Sequence, residues 1–308
     1  MTAAAARLAA QTKASRPPNV LLIIADDLAA WMLGCYGNTE IKTPNIDTLA
    51  RGGVRFQAGT VCTPICSASR ATLFTGRTPM QHGIHDFLTD RPVDDPPQGQ
   101  FAPPPSFQNE VMISDILAGK GYRCGYVGKW HMGSDQNPQH KFDYWYTLAS
   151  SRYQNPRMSD NGQMRDEKGY VADLITERSL QFLDAQTPDR PFFLVTSHFN
   201  PHVPYDGHPQ KYYDMYAGTK FDTVGWERPS PNALREKEYL SDPVANIRRC
   251  AAATTALDDQ IPPLLRRLTD RGLRDNTIII LVGDNGFLLG RHGLWSKGLA
   301  SNPINMFE

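Results

Sequence analysis

The sequence lacks a charge bias, a long apolar run and a cysteine framework. Lys and Arg total 32 and Asp and Glu total 32, so the formal net charge is zero. This balance disfavours nucleic-acid binding through a basic face and membrane attachment through a polybasic segment. No apolar run approaches the ~20 residues of a membrane span. The five cysteines are odd in number and widely spaced, which does not indicate a disulfide framework.

The N-terminus also lacks a recognisable targeting signal. Its first residues are small and polar, without the unbroken apolar stretch of a secretory leader. Because this stretch ends in Pro17-Pro18, we expect residues 1–18 to form a flexible N-terminal arm. The protein is therefore expected to be cytoplasmic, with neither a membrane nor a nucleic acid as partner. A periplasmic or secreted location would follow if the natural N-terminus is missing.

What the sequence does contain is the composition of a folded chain. Of its 308 residues, 40% belong to the AVILMFWYC set and 21% are charged, which argues against disorder of the whole chain. The length suits one large domain or two small ones. We find no internal repeat and no boundary inside residues 19–300, which favours one domain.

Short β-branched runs alternate with helical patterns along the chain. The runs at 19–25 and 277–282 contain no polar alternation, so each predicts a strand buried on both faces. Weaker strands are predicted at 122–127 and 191–197. Helices are predicted at 44–53, 69–76, 111–119, 171–185 and 246–272, the last interrupted by Pro262-Pro263. Loops are predicted at 91–105, 150–169 and 201–243. The alternation predicts an α/β fold with a mostly parallel sheet sandwiched by helices.

Acidic residues follow both strong strands directly. Asp26-Asp27 comes after the first, and Asp284-Asn285 comes after the second. Ligands of parallel sheets sit beyond the carboxyl ends of the strands, and adjacent carboxylates repel unless a cation or hydrogen bonds neutralise them. A lone Asp-Asp pair is usually a solvated turn. A second acidic group at the end of the other strand favours a hard-cation site, whose oxygen ligands suit Ca²⁺ or Mg²⁺.

Cys66 comes just before the helix start that we predict at Ser69, with Arg70 one turn later. A helix N-terminus favours negative charge, so this position suits a reactive or anion-binding group. Taken alone, a cysteine such as Cys66 is more often an ordinary buried thiol. Cys62, four residues earlier, leaves a metal pair or a disulfide open, although no second cysteine pair supports zinc.

The segment CSASRATLFTGR, which starts at Cys66, resembles the signature of the type I sulfatases. These form a formylglycine-dependent branch of the alkaline-phosphatase superfamily, and here Ala68 replaces the usual proline. Five further segments resemble family blocks in the same order: ADD (25–27), TPNIDTLARGGVRF (43–56), GYVGKWHMG (125–133), NPHVPY (200–205) and GDNGFLLGRHGLWSKG (283–298). The resemblance runs from Asn19 to the chain end.

This resemblance implies an alkaline-phosphatase/sulfatase-like fold and a sulfuric ester hydrolase. It would release inorganic sulfate from a small-molecule or carbohydrate sulfate ester. Cys66 would be oxidised to formylglycine by a formylglycine-generating enzyme, and a hydroxyl of the hydrated aldehyde would attack sulfur. The implied cofactor is Ca²⁺, with Mg²⁺ as the alternative. The residues that the resemblance assigns to the cation are Asp26, Asp27, Cys66, Asp284 and Asn285.

The resemblance also assigns catalytic roles beside residue 66. Arg70 and Lys129 would hold and polarise the hydrated aldehyde, and His131 would be the base that restores it. His202 and Lys297 would bind the sulfate and stabilise or protonate the leaving oxygen. Each alone could be structural or solvated, but together and in order they favour the functional interpretation. Three further histidines are weaker candidates for the substrate pocket: His82, His85 and His292.

Substrate specificity is expected in loops 78–107 and 134–169. Their aromatic residues Tyr144, Trp145 and Tyr153 could stack on a substrate ring, although packing is the commoner role of such residues. Two alternative functions stay open at this point. One is a phosphodiesterase or phosphonate monoester hydrolase of the same superfamily, and the other is an inactive truncated homologue.

The resemblance further implies that the catalytic domain, residues 19–308, is incomplete. Family members usually continue beyond the point where this sequence stops, through further core strands and a small C-terminal subdomain. From the missing strands we expect an exposed sheet edge and lowered stability.

Overall fold

Seven strands form one sheet in the computed structural model, which describes residues 16–88, 103–225, 227–230 and 237–297. The strands are β1 (Asn19–Ala25), β2 (Arg123–Gly128), β3 (Tyr144–Leu148), β4 (Arg157–Asp160), β5 (Gln163–Asp166), β6 (Phe192–His198) and β7 (Thr277–Gly283). Their order is β5-β4-β3-β2-β6-β1-β7. All pairs are parallel except β3–β4 and β4–β5. The α/β fold with a mostly parallel sheet is confirmed.

The helices of the described residues lie between and after these strands. They are α1 (Pro44–Arg51), α2 (Cys66–Thr75), α3 (Pro79–His82), α4 (Ile113–Gly119), α5 (Val171–Asp184), α6 (Gln210–Asp214), α7 (Lys237–Ser241), α8 (Pro243–Asp258) and α9 (Ile261–Asp270). Several differ from prediction. The sequence does not predict the short helices α3, α6 and α7, of which α6 and α7 lie in the stretch 201–243 that it predicts as a loop, because such short helices leave little periodic signal in a sequence. Helix α2 begins at Cys66 rather than Ser69, and the predicted helix 246–272 is two helices that meet at Asp259-Gln260. The break precedes Pro262-Pro263 because proline is tolerated in the first turn of a helix but not inside it.

Strand β1 is buried on both faces, as its apolar run predicts. Leu21 and Ile23 pack into the larger apolar cluster with α5, α8 and α9. Leu22 and Ile24 pack into a second cluster, which includes one face of α2. Successive side chains of a strand point to opposite faces, so β1 packs against the helices on both sides of the sheet. This packing fixes the position of its carboxyl end.

The prediction that β7 is buried on both faces is wrong. Ile279 and Leu281 pack against the larger cluster, but Ile278 is 49% exposed and Ile280 is 43% exposed. β7 lies at the edge of the sheet. An apolar run in the sequence does not distinguish an edge strand from a central strand.

The prediction that residues 150–169 are irregular is also wrong. This stretch contains β4 and β5, which form an antiparallel hairpin with Asp160 opposite Gln163. Between them lie Asn161 (φ 48°) and Gly162 (φ 97°), the sequence pair and the positive φ angles of a type I′ turn. The strands are short and polar, so only this turn signals the hairpin in the sequence.

Some expectations fall partly or wholly outside the described residues. The predicted N-terminal arm is described only for residues 16–18, and the predicted loop 91–105 only for residues 103–105. Across the described ranges, we find no helix with both the length and the apolar character needed to cross a bilayer.

Asp258, the last residue of α8, caps the N-terminus of α1. Its buried carboxylate accepts hydrogen bonds from the backbone N–H of Asn45 (3.1 Å) and of Ile46 (2.7 Å), and from Asn45 Nδ2 (2.7 Å). Free N–H groups at a helix start must find an acceptor, and here that acceptor lies 213 positions away in the chain. This contact ties α1 to α8 in the core.

We expect Asp258→Ala to destabilise the fold by about 1–3 kcal/mol, because it leaves two N–H groups of α1 without an acceptor. Urea denaturation followed by circular dichroism measures this change. Asp270→Ala, at the exposed end of α9, is the matched control and should shift stability by less than about 0.5 kcal/mol. Equal midpoints for the two variants would contradict the capping role.

Candidate active site at the carboxyl edge of the sheet

Three carboxylates meet where β1 and β7 end. Asp26 and Asp27 follow β1, Asp284 follows β7, and the two strands are parallel neighbours. The backbone N–H of Asp27 donates to Asp284 Oδ1 (3.0 Å), and that of Asp26 donates to the carbonyl of Asn200 (3.1 Å), beyond the end of β6. Asp27 adopts a left-handed conformation (φ 66°), which is uncommon for a non-glycine residue. The backbone thus directs these carboxylates to one point.

Cys66 faces these acids from the first turn of α2. Its Sγ lies 3.4 Å from Asp26 Oδ1 and 2.5 Å from Lys297 Nζ. Burial, reinforced by Asp26, raises the pKa of the Cys66 thiol to about 12, so the thiol is neutral near pH 7. Burial alone would lower the pKa of Lys297, but its contacts with Asp27 and Cys66 hold that pKa well above its ordinary value.

Besides the partly buried Lys297, two buried cations neutralise the acids. Arg70 Nε donates to Asp284 Oδ2 (2.8 Å), and Arg70 Nη1 donates to Ser197 Oγ (2.8 Å). Lys129 Nζ donates to Asp26 Oδ2 (2.5 Å). Burial, the largest single influence, opposes ionisation of Asp26, but Lys129 together with His202, Lys297 and Arg70 outweighs it and holds the pKa of Asp26 well below its usual range. For Asp284, burial and the nearby Asp26 outweigh Arg70 and raise the pKa to about 6.

His202 and Asn285 complete the group around Asp27. Asn285 Nδ2 donates to Asp27 Oδ1 (2.7 Å), and His202 Nε2 lies 3.7 Å from Asp27 Oδ2. His202 Nδ1 pairs with the carbonyl of Val203, which places the ring proton on Nδ1 and turns the Nε2 lone pair toward a carboxylate. Asp27 Oδ2 and Asn285 Oδ1 are buried and accept no hydrogen bond from the described residues.

This donor set fits a cation. Asp26, Asp27, Cys66 and His202 each offer one ligand atom, and these atoms all lie within 4.8 Å of one another. A cation would satisfy the two orphaned oxygens and would separate the facing acceptors of His202 and Asp27. Carboxylate and amide oxygens predominate, which suits Ca²⁺ or Mg²⁺ better than Zn²⁺. His202 is one of these four, whereas Asp284, which the resemblance assigns to the cation, is not.

His131 stands apart from this network. Its Nε2 pairs with the carbonyl of Leu88 (3.0 Å), while Nδ1 is buried and has no hydrogen-bond partner in the described part of the chain. Burial, reinforced by Lys129, lowers the pKa of His131 well below its usual value. The ring is therefore neutral near pH 7.

The weaker candidates occupy structural or surface positions. His82 is buried and pairs with Thr72 Oγ1 (3.1 Å). His85 is exposed, and His292 pairs with Glu227 at the surface (3.6 Å). Among the aromatic residues of loop 134–169, Trp145 and Tyr153 are buried in the two apolar clusters and Tyr144 packs on Phe182. Cys62 and Cys66 are both free thiols, so no disulfide joins them.

Ser197 and Asn200 belong to the site although the sequence did not single them out. Ser197 Oγ binds Arg70, and the Asn200 carbonyl holds the backbone of Asp26. Both lie at or just beyond the carboxyl end of β6. The rule that led to Asp26 and Asp284 would have found them, had it been applied to this third strand.

Comparison with known proteins identifies what the chain is similar to. The family model Sulfatase matches residues 18–304. The ulvan-active sulfatase of Formosa agariphila is 32% identical over 284 residues, covering 89% of this chain and 51% of the relative. Arylsulfatase A of Homo sapiens is 30% identical over 315 residues, covering 91% and 54%. The chain thus spans about half the length of these relatives.

A solved structure gives the same result for the fold. The crystal structure of the putative sulfatase yidJ from Bacteroides fragilis superposes with a TM-score of 0.76 at 24% identity. The match covers 90% of this chain and 63% of that one. At this identity, the likeness establishes the fold alone.

We expect Arg70→Met to destabilise the protein by about 3–5 kcal/mol, because it leaves the buried Asp284 carboxylate without its partner. Denaturation without added divalent cations measures the loss. The matched control is Arg77→Met, which breaks a half-exposed pair with Glu110 and should cost about 0–1 kcal/mol. If both variants unfold at the same midpoint, Arg70 does not stabilise the acidic cluster as described.

Proposed function

The chain belongs to the sulfatase family, and from that premise we propose that it is a sulfuric ester hydrolase, which releases inorganic sulfate from a sulfate monoester. The observation that carries the proposal is the meeting of two acidic strand ends, a helix-terminal cysteine, two buried cations and the partly buried Lys297 at one sheet edge. A sulfate ester develops negative charge on its oxygens as it reacts, and cations placed there stabilise the transition state.

Residue 66 is the proposed nucleophile after Cys66 is oxidised to formylglycine by a formylglycine-generating enzyme. The unmodified thiol is poorly suited to attack, because its pKa is raised to about 12 and the thiolate is the nucleophilic form of cysteine. The Cys-Ser-Ala-Ser-Arg segment at 66–70 supports the modification. The hydrated aldehyde would supply a hydroxyl for attack on sulfur.

A divalent cation, Ca²⁺ or alternatively Mg²⁺, is the proposed cofactor. Asp27 and Asn285 would hold it through their orphaned oxygens. The remaining proposed ligands are Asp26, Asp284 and residue 66. When bound, the ion would supply Lewis-acid stabilisation of the sulfate oxygens.

The remaining side chains hold charge and protons around that centre. Lys129 and Arg70, fixed by Asp26 and Asp284, would orient residue 66 and polarise its oxygen. Lys297, which touches residue 66, and His202, once protonated at Nε2, would bind the sulfate and assist the leaving oxygen. The neutral ring of His131 would take up the proton released when the aldehyde is restored.

The proposed substrates are small-molecule or carbohydrate sulfate esters. The Formosa relative is named for its action on ulvan, and the human relative is named an arylsulfatase. Both names support a sulfated substrate without choosing between the two classes. A phosphodiesterase or phosphonate hydrolase and an inactive homologue are the alternatives that the experiments below separate.

We expect co-expression with a formylglycine-generating enzyme to convert Cys66. Mass spectrometry of the tryptic peptide should show the exchange of one sulfur and two hydrogens for one oxygen. Cys62, which is exposed, should stay unmodified and serves as the internal control. An unmodified thiol at residue 66 after co-expression would favour the inactive homologue.

We expect the matured protein to release sulfate from 4-nitrophenyl sulfate. Cys66→Ala should reduce the rate to background, because it removes the nucleophile, whereas Cys62→Ala should retain activity. A chelator should suppress sulfate release, and added Ca²⁺ should restore it, because the acidic cluster would lose and regain its cation. Faster cleavage of bis(4-nitrophenyl) phosphate would instead identify a phosphodiesterase.

A further inference from the structure

Tyr153 is a buried residue whose hydroxyl binds the backbone of His202. Tyr153 is only 3% exposed, and its hydroxyl lies 2.5 Å from the carbonyl oxygen of His202. The same hydroxyl lies 3.3 Å from the carbonyl of Phe199. A phenol has one proton to donate, and the shorter distance assigns that proton to His202.

The rings of this region form a stack that ends on His202. The Tyr153 and Phe199 rings are 4.9 Å apart, and the Phe199 ring stacks on the His202 ring at 4.9 Å and 27°. On its other side, Tyr153 packs against the ring of His208 at 4.1 Å. The Tyr153 hydroxyl therefore contacts the backbone of His202 directly, and the Tyr153 ring supports the His202 ring indirectly, through Phe199.

The loop needs such a support because its own backbone offers few hydrogen bonds. Pro201 and Pro204 flank the segment, and proline has no N–H to donate. The His202 N–H closes a turn on Phe199 (3.0 Å), and the Asn200 carbonyl holds Asp26. The Tyr153 hydroxyl supplies the bond that ties the His202 carbonyl to the core, and so helps to set the 3.7 Å separation of His202 Nε2 from Asp27.

We propose that Tyr153 is a positioning residue, which holds His202 in the orientation that assists the leaving oxygen. The role in the reaction rests on the proposed function, whereas the effect on the His202 ring does not. Tyr153 acts through His202 and is itself sealed from the site, so it would not touch the substrate. Tyr153, an aromatic residue of the segment 134–169, would thus affect the reaction by positioning His202 and not by stacking on the substrate.

The test compares Tyr153→Phe with Tyr144→Phe. Both changes remove one hydroxyl that donates to a backbone carbonyl, since Tyr144 donates to Arg178 (3.1 Å). Both keep the aromatic ring, so folding should be preserved. Tyr153→Phe should lower kcat/KM for phenyl sulfate about tenfold, the rate equivalent of about one hydrogen bond. Tyr144→Phe should leave it unchanged.

A leaving-group series separates positioning from a general loss of structure. A group that assists the leaving oxygen matters more when that oxygen is a poor leaving group. Tyr153→Phe should therefore lose more rate on phenyl sulfate than on 4-nitrophenyl sulfate, mainly in kcat, and His202→Ala should show the same order. Equal losses on the two esters, or no loss, would overturn the proposal.

A second readout is independent of turnover. The NMR signals of the His202 ring, identified by their disappearance in His202→Ala, should shift in Tyr153→Phe and stay in place in Tyr144→Phe. Unshifted signals in Tyr153→Phe would overturn the positioning role. If the wild-type protein hydrolyses no sulfate ester, the proposed function fails, and the NMR comparison alone decides whether Tyr153 positions His202.

Discussion

The repulsion among three buried carboxylates is the constraint on which this edge of the sheet depends. Parallel pairing of β1 and β7 brings Asp26, Asp27 and Asp284 to one point, where a low dielectric strengthens their mutual repulsion. Arg70 and Lys129 offset much of it. Each of these cations comes from a different element, α2 and the segment after β2, so neutralising the acids also draws distant parts of the chain together.

Charge balance decides whether the proposed anionic substrate could bind at this cluster. With Lys297 included, three cations face three carboxylates, and the cluster has no formal surplus. A divalent cation at the orphaned oxygens of Asp27 and Asn285 would tip the balance to positive. The neutral whole chain can thus hold a locally positive centre, because the sign that a ligand meets is set by the buried site.

Hydrogen bonds outside the acidic cluster hold the site residues in position. Asn200 ties the end of β1 to the loop that carries His202, and its side chain is held by Tyr170 (2.8 Å). Tyr153 holds the far side of that loop. Such supporting contacts matter because small displacements of an acid or base weaken its action on a reacting atom.

Local signals in the sequence were enough for β1, β2, β6 and β7, for most helices and for the acidic strand ends. The sequence alone predicts that Asp26 and Asp284 lie close together, because hydrophobic runs locate the strands and parallel strands end at a common edge. Three features depended on the tertiary structure: the exposed face of β7, the Asp258 cap on α1 and the support of His202 by Tyr153. Each depends on which distant segment lies alongside, and that is settled only when packing chooses strand order and neighbours.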